Sequence, residues 1–272
     1  MSDKPRIGIF DFACCEGCQL TIVSLGEPLV ELLQHVEVVT WREAISEHSE
    51  EFDIAIVEGS ISRDSDVPRL QRIREQAKVL IALGACATLG GVQVQDNRFA
   101  AEELLELVYG EAASRYEAGE VRPVSAVVPV DVPIHGCPIN PDEFVAVVQH
   151  LLLGKPYRVS PKPVCYECKL NAYECVYDRG QLCLGPVTRC GCNAICVSRG
   201  HRCFGCRGLV DEVNVNAAKD VLTEHGLRLE DVLGMFEIYS LRAEPARTLA
   251  ESERKKARRA EPWRFGSTTS LG

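Results

Sequence analysis

The sequence predicts an α/β protein, a doubly wound parallel sheet followed by a loop-rich second domain, and two observations carry that prediction. Through residue 155, short runs of β-branched and apolar residues alternate with stretches of helical spacing, the pattern of parallel strands joined by crossover helices. Beyond it, the proline-rich connection "GKPYRVSPKPV" opens a segment in which nine of the fourteen cysteines crowd between Cys165 and Cys206. A chain of 272 residues is long enough for one large domain or two modest ones. The expected division is 1–155, the α/β domain; 156–210, the cysteine-rich domain; and 211–272, a helical C-terminal extension ending in the basic tail "ESERKKARRAEPWRF". That tail reads as a solvated or partner-contacting end.

The individual elements follow from local pattern. "RIGIFDF" (Arg6 to Phe12), "VEVVTW" (Val36 to Trp41), "DIAIVEGS" (Asp53 to Ser60) and "KVLIALGAC" (Lys78 to Cys86) read as strands, and Val124 to Val130 as a weaker one leading to "HGCP". Leu20 to Gln34 and Val67 to Gln76 carry helical spacing, Pro141 to Leu153 reads as a helix opening on proline, and Val210 to Met235 as a later helix. In sheets of this type ligands bind beyond the carboxyl ends of the strands. Cys14, Cys15 and Cys18 follow the first strand, Cys86 follows "IALGA" and Cys137 follows the last, so three loops distant in sequence are expected to meet at one edge.

Composition narrows the function. A hydrophobic content of 46% and a charged content of 25% describe an ordinary globular protein, and a formal charge of −9 argues against general affinity for nucleic acid or anionic membrane. The start "MSDKPRIGIF" has no apolar core or twin arginine, and no apolar run reaches membrane-spanning length, so a cytoplasmic protein without a membrane span is expected. In a reducing compartment fourteen cysteines point to metal or redox chemistry rather than disulfides. Residues 165–208 have few apolar runs, and metal is expected to hold that segment together.

Within it, Cys165/Cys168 and Cys203/Cys206 form C-x-x-C pairs, while Cys175, Cys183, Cys192 and Cys196 fall at irregular intervals. Zinc ribbons also use paired C-x-x-C, so one or two structural zincs is the alternative, but uneven spacing suits the larger iron–sulfur cubane better. A flavin carrier is disfavoured, because the cysteine run replaces a phosphate loop after the first strand. Gly90-Gly91 is not part of a G-x-G-x-x-G fingerprint, so no nicotinamide is expected to bind here.

The ordered set "CEGC", "EGS", "GACAT.GG", "HGCP", "CLGPVT...C" and "CFGC" resembles the small, electron-transferring subunit of nickel–iron hydrogenases, over about Arg6 to Gly208. It is most similar to the cytoplasmic branch, which includes sulfhydrogenase delta subunits and the small subunit of methyl-viologen-reducing hydrogenase. The resemblance implies a flavodoxin-like first domain, a ferredoxin-like iron–sulfur second domain and three [4Fe–4S] clusters. The proximal cluster would be held by Cys15, Cys18, Cys86 and Cys137, the medial by Cys192, Cys196, Cys203 and Cys206, and the distal by Cys165, Cys168, Cys175 and Cys183. Cys165 stands where membrane-linked members of the family have a histidine, and Cys196 where they have a proline. Cys14 and Cys190 are left over, each within two residues of an implied ligand.

The implied partners are a large subunit carrying the nickel–iron site, docked beside the proximal cluster, and a downstream flavin or iron–sulfur subunit. Paired C-x-x-C near both chain ends, which the nickel–iron site would need, is absent here, so no catalytic acid, base or nucleophile is expected in this chain. A bridging subunit of a related complex that is not a hydrogenase is the competing reading. Glu58, ending the third strand, reads equally as a helix cap or a cluster neighbour. His135 reads either as a donor to a cluster sulfide or as a histidine satisfied in a surface loop.

Overall fold

The computed structural model describes residues 4–211, 220, 223–226, 235 and 237–240. They lie in one compact unit, Met1–Leu241. Five strands, β1 (Arg6–Asp11), β2 (Glu37–Trp41), β3 (Ile54–Glu58), β4 (Val79–Leu83) and β5 (Val132–Ile134), form one sheet in the order β2-β1-β3-β4-β5, with every pair parallel. The expected α/β class holds. The central strands β3 and β4 are buried along almost their whole length, as continuous runs such as "IAIVE" require of a sheet covered on both faces.

Two apolar clusters sandwich the sheet. One packs Ile7, Ile9, Ile56, Ile81 and Leu83 against Ile22 of helix α1 (Gly17–Val23), Leu32 of α2 (Glu27–Leu33), and Phe144 and Val147 of α6 (Pro141–Leu152). The other packs Ala55, Val57, Leu80 and Ala82 against Leu70 and Ile73 of α3 (Asp66–Gln76) and Ala87 of α4 (Gly84–Leu89). A short helix α5 (Ala101–Tyr109) buries none of its residues. Among the described residues, no helix is long and apolar enough to cross a membrane.

Three expectations about elements are corrected. The helix over Leu20 to Gln34 is two helices, because Gly26 takes φ 68° and Pro28, which has no N–H to donate, sits in the first turn of a new helix. The strand at Val124 to Val130 is absent: Val124–Ala126 forms a 3-10 turn, and Pro129 removes a ladder donor. The fifth strand is Val132–Ile134, an edge strand that tolerates Pro133. Cys86 lies inside α4 rather than at the end of a strand. The helix at Val210 to Met235 and the basic tail lie, apart from isolated positions, outside the described residues.

The cysteine-rich segment also departs from expectation, since it has an apolar core of its own. Val164, Val176, Tyr177, Leu182, Leu184, Val187 and Val197 are buried together, around α7 (Val164–Leu170) and α8 (Ile195–Ser198). These apolar residues fall in ones and twos between cysteines, so no run of them was visible.

One ion pair fastens this segment to the sheet domain. Arg207 is 0% exposed and Glu143, on α6, 6% exposed. The guanidinium grips the carboxylate at 2.7 and 2.8 Å, and it also donates to the carbonyls of Cys190, at 2.9 Å, and His135. Nearby, the Asn140 side chain donates to the Gly191 carbonyl at 2.9 Å. Removing one partner of a fully desolvated pair strands the other charge. Glu143→Ala is therefore expected to cost about 3–5 kcal/mol, read as a lower thermal unfolding midpoint, and the double variant Glu143→Ala/Arg207→Met is expected to recover part of the loss.

Candidate metal centres

Parallel strands put their carboxyl ends on one edge, and there the loops after β1, β3, β4 and β5 meet. The loop after β1 is tied to the end of β3 by paired backbone bonds between Ala13 and Ser60, at 3.1 and 2.9 Å. Glu16 then takes a left-handed conformation, φ 61°, and turns the chain into α1. Glu58, 1% exposed, accepts from the backbone N–H groups of Cys18 (3.0 Å) and Gln19 (3.1 Å). It thus caps the first turn of α1 from another strand, and it stands beside the cysteines at the same time.

Around that carboxylate the structure collects Cys14, Cys15, Cys18, Cys86 and Cys137, close enough for their charges to interact. Two glycines make the room. At Gly84 (φ +82°) a Cβ would lie 2.4 Å from the Cys18 sulfur, and at Gly91 (φ +71°) 2.7 Å from the Cys86 sulfur. The Gln93 side chain donates to the Ala13 carbonyl at 2.8 Å and lies 3.5 Å from the Cys86 sulfur.

A second group gathers Cys192, Cys196, Cys203 and Cys206, and a third Cys165, Cys168, Cys175 and Cys183. Glu167 shapes the loop carrying Cys192 by accepting from Gly191 N (2.8 Å) and Ala194 N (3.1 Å). Gly185 again makes space, since a Cβ there would approach the Cys165 and Cys183 sulfurs to 3.2 and 3.4 Å. The groups are linked in series. Cys206 lies within electrostatic reach of Cys137, and the Cys203 N–H donates to the Cys183 sulfur at 3.2 Å.

Burial dominates the thiol chemistry. It pushes Cys86 and Cys168 up to about 11 and Cys14, Cys165 and Cys206 up to about 12, and it raises Cys18, Cys137, Cys183, Cys192, Cys196 and Cys203 as well. The Glu58 carboxylate adds to the rise at Cys14 and Cys18. Such groups carry protons at neutral pH until a cation displaces them. All-thiolate donor sets opened by glycines fit iron–sulfur clusters. Among the described residues, no three Cys, His, Asp or Glu side chains close on a point suited to one metal ion.

The leftover cysteines separate. Cys14 stays with the first group, making five thiols there, whereas Cys190 is buried at 4% exposure and interacts with Tyr157 instead. His135 is not in a surface loop: it is 7% exposed, its Nε2 faces the Arg189 guanidinium at 3.2 Å, and its Nδ1 has no hydrogen-bond partner. Sequence reasoning missed Glu167, Gln93 and the Glu143–Arg207 pair, whose residue types are common on surfaces. It also missed Tyr239, which lies within electrostatic reach of Cys137. The position of Arg207 directly after "CFGC" was the one available signal.

Known proteins resemble this chain in sequence and fold. Residues 15–151 match the family described as NADH ubiquinone oxidoreductase, 20 Kd subunit. The delta subunit of sulfhydrogenase 2 from Pyrococcus furiosus is 40% identical over 222 residues, covering 80% of this chain and 92% of that one. A vhu subunit of the F420-non-reducing hydrogenase from Methanococcus voltae is 31% identical, covering 89% and 97%. Among solved structures, a chain of an NAD+-reducing [NiFe]-hydrogenase superposes with a TM-score of 0.53 at 27% identity, covering 58% of this chain and 96% of that one. Thiol groups in series on a parallel sheet, with these relatives, define an oxidoreductase subunit of the hydrogenase class. The chain belongs to the family of nickel–iron hydrogenase small subunits.

Burial first, then the charges of Arg189 and Arg207, lower the His135 pKa from 6.5 to about 3. Between those values the unfolded chain binds a proton that the folded one refuses, so stability falls as pH drops below 6.5, by up to about 1.4 kcal/mol per pH unit. His135→Gln is expected to remove that slope. The check is the wild-type-minus-variant difference in urea midpoint at pH 7 and about pH 5.5, in which other acid-sensitive groups cancel.

Proposed function

We propose that the chain is the electron-relay subunit of a nickel–iron hydrogenase, holding three [4Fe–4S] clusters between a large subunit with the nickel–iron site and a downstream flavin or iron–sulfur subunit. The observation that carries this reading is the serial linkage of the thiol groups through Cys137/Cys206 and Cys203/Cys183. The relatives, being subunits of multi-subunit hydrogenases, support it.

The proximal ligands are Cys15, Cys18, Cys86 and Cys137, the medial Cys192, Cys196, Cys203 and Cys206, and the distal Cys165, Cys168, Cys175 and Cys183. Cys14 and Cys190 are not ligands. Residues 1–155 and 156–210 are then the two cluster-bearing domains and 211–272 the extension, in a cytoplasmic complex. When bound, the clusters accept and release single electrons. The protein's part is to place them, shield them from water and set their potentials through hydrogen bonds and burial. Backbone N–H groups of Gly185 and Cys203 aimed at the Cys183 sulfur favour a thiolate there. No proton transfer or bond cleavage is asked of this chain.

The test is the iron and acid-labile sulfide content of anaerobically purified protein, with hydrogen-dependent dye reduction by the copurified complex. About twelve irons and twelve sulfides per chain, the content of three cubanes, with activity only when a large subunit is present, is the expected result. Two or three zincs without sulfide would sink it. Cys206→Ser is expected to lower the iron by about four and to abolish dye reduction, whereas Cys190→Ala leaves both unchanged. Gly84→Ala, which places a methyl against the Cys18 sulfur at a φ that alanine resists, is expected to lower iron content by the same amount as Cys206→Ser.

A further inference from the structure

We propose that Gln93 is a positioning residue for the proximal centre: its side-chain amide ties Cys86 to the loop carrying Cys15 and donates a hydrogen bond to the Cys86 sulfur, which raises that centre's reduction potential. The inference rests on the relay reading above.

The Gly90-Gly91 pair builds the contact. Helix α4 ends at Gly90, whose N–H bonds to the Cys86 carbonyl at 3.1 Å, and both glycines hold a positive φ, 99° and 71°. The chain thereby leaves the helix in a turn that carries the 3-10 segment Val92–Arg98 back beside Cys86. Gly91 stands between the two groups, since a Cβ there would lie 2.6 Å from Gln93 Oε1 and 2.7 Å from the Cys86 sulfur. Any other residue would wedge them apart. The segment is held from its far side as well: Val94 is buried, and the Asn97 side chain exchanges two hydrogen bonds with the backbone of Val121, at 2.8 and 2.7 Å.

The partners of the amide fix which end of it is nitrogen. Nε2 donates to the Ala13 carbonyl at 2.8 Å, an acceptor that an amide oxygen could not satisfy. Ala13 lies two residues before Cys15 and is bridged to Ser60 at the end of β3, so its carbonyl is a fixed point of that loop. The nitrogen carries two hydrogens, and the Cys86 sulfur lies 3.5 Å from it as the second acceptor. Oε1 is also 3.5 Å from the sulfur and accepts from it while Cys86 is a thiol. A thiolate has no hydrogen to give, which leaves the Nε2 hydrogen as the bond between the two groups once a cluster is held.

A cluster gains negative charge on reduction, and a donor at a ligand sulfur stabilises the more negative state. Methionine would fill nearly the same space as glutamine without donating.

The test compares native complex with Gln93→Met by redox titration followed with electron paramagnetic resonance, iron content being measured on the same samples. Losing one hydrogen bond to a charged group is expected to shift the reduction equilibrium of one centre by about tenfold, about 59 mV lower for a one-electron couple, with the other midpoints unmoved. Unchanged midpoints at native iron content overturn the proposal. If Gln93→Met does not retain iron, Gln93→Leu, equally without a donor, decides by the same two outcomes. Iron lost from both variants makes the amide a scaffold for assembly alone and also overturns the proposal. A native complex without any iron–sulfur signal would fail the relay reading itself, which separates the two.

Discussion

The bidentate contact between Arg207 and Glu143 is the constraint on which the arrangement depends. Arg207 directly follows a cysteine of the second thiol group, and its guanidinium also holds the carbonyl of His135, two residues before Cys137. A single buried side chain thereby sets the distance between a loop of the sheet domain and a loop of the cysteine-rich segment. Gly191 has no side chain for the same reason, since a Cβ there would meet Arg207 Nη2 at 2.4 Å. A buried ion pair is a poor source of net stability. Its value here is geometric, because planar two-point recognition fixes orientation as well as distance.

The same economy governs the thiol groups. Carboxylates at Glu58 and Glu167 stand next to cysteines that burial already makes reluctant to ionise. Each carboxylate is occupied with backbone N–H groups, so it organises a loop and at the same time keeps the local field negative. Such a field favours a cationic guest over free thiolates, and deprotonation accompanies the guest's arrival.

Much of this was legible in advance. The parallel sheet showed in the apolar runs of β1, β3 and β4, and the convergence of Cys15, Cys18, Cys86 and Cys137 followed from strand direction alone. The helix break at Gly26-Glu27-Pro28 was written in the residues but overruled by periodicity. Val124 to Val130 misled because β-branched composition outweighed the two prolines, Pro123 and Pro129, around its turn. The core of the cysteine-rich segment was hidden for another reason: its apolar residues lack both the period of a strand and that of a helix, and only tertiary structure brings Val164, Tyr177 and Val197 together. Arg207 and Glu143 belong to residue types that usually face water, so their roles emerge only from partners distant in sequence.

The thiols of the first group come from the segments that follow β1, β4 and β5, and Cys137 lies within electrostatic reach of Cys206 in the last loop of the cysteine-rich segment. That cradle does not exist in any fragment that stops before Cys137. Every parallel crossover has to close before five sulfurs face one another. A chain that ends before Cys137 therefore carries the same thiols as separate side chains, with no common space between them.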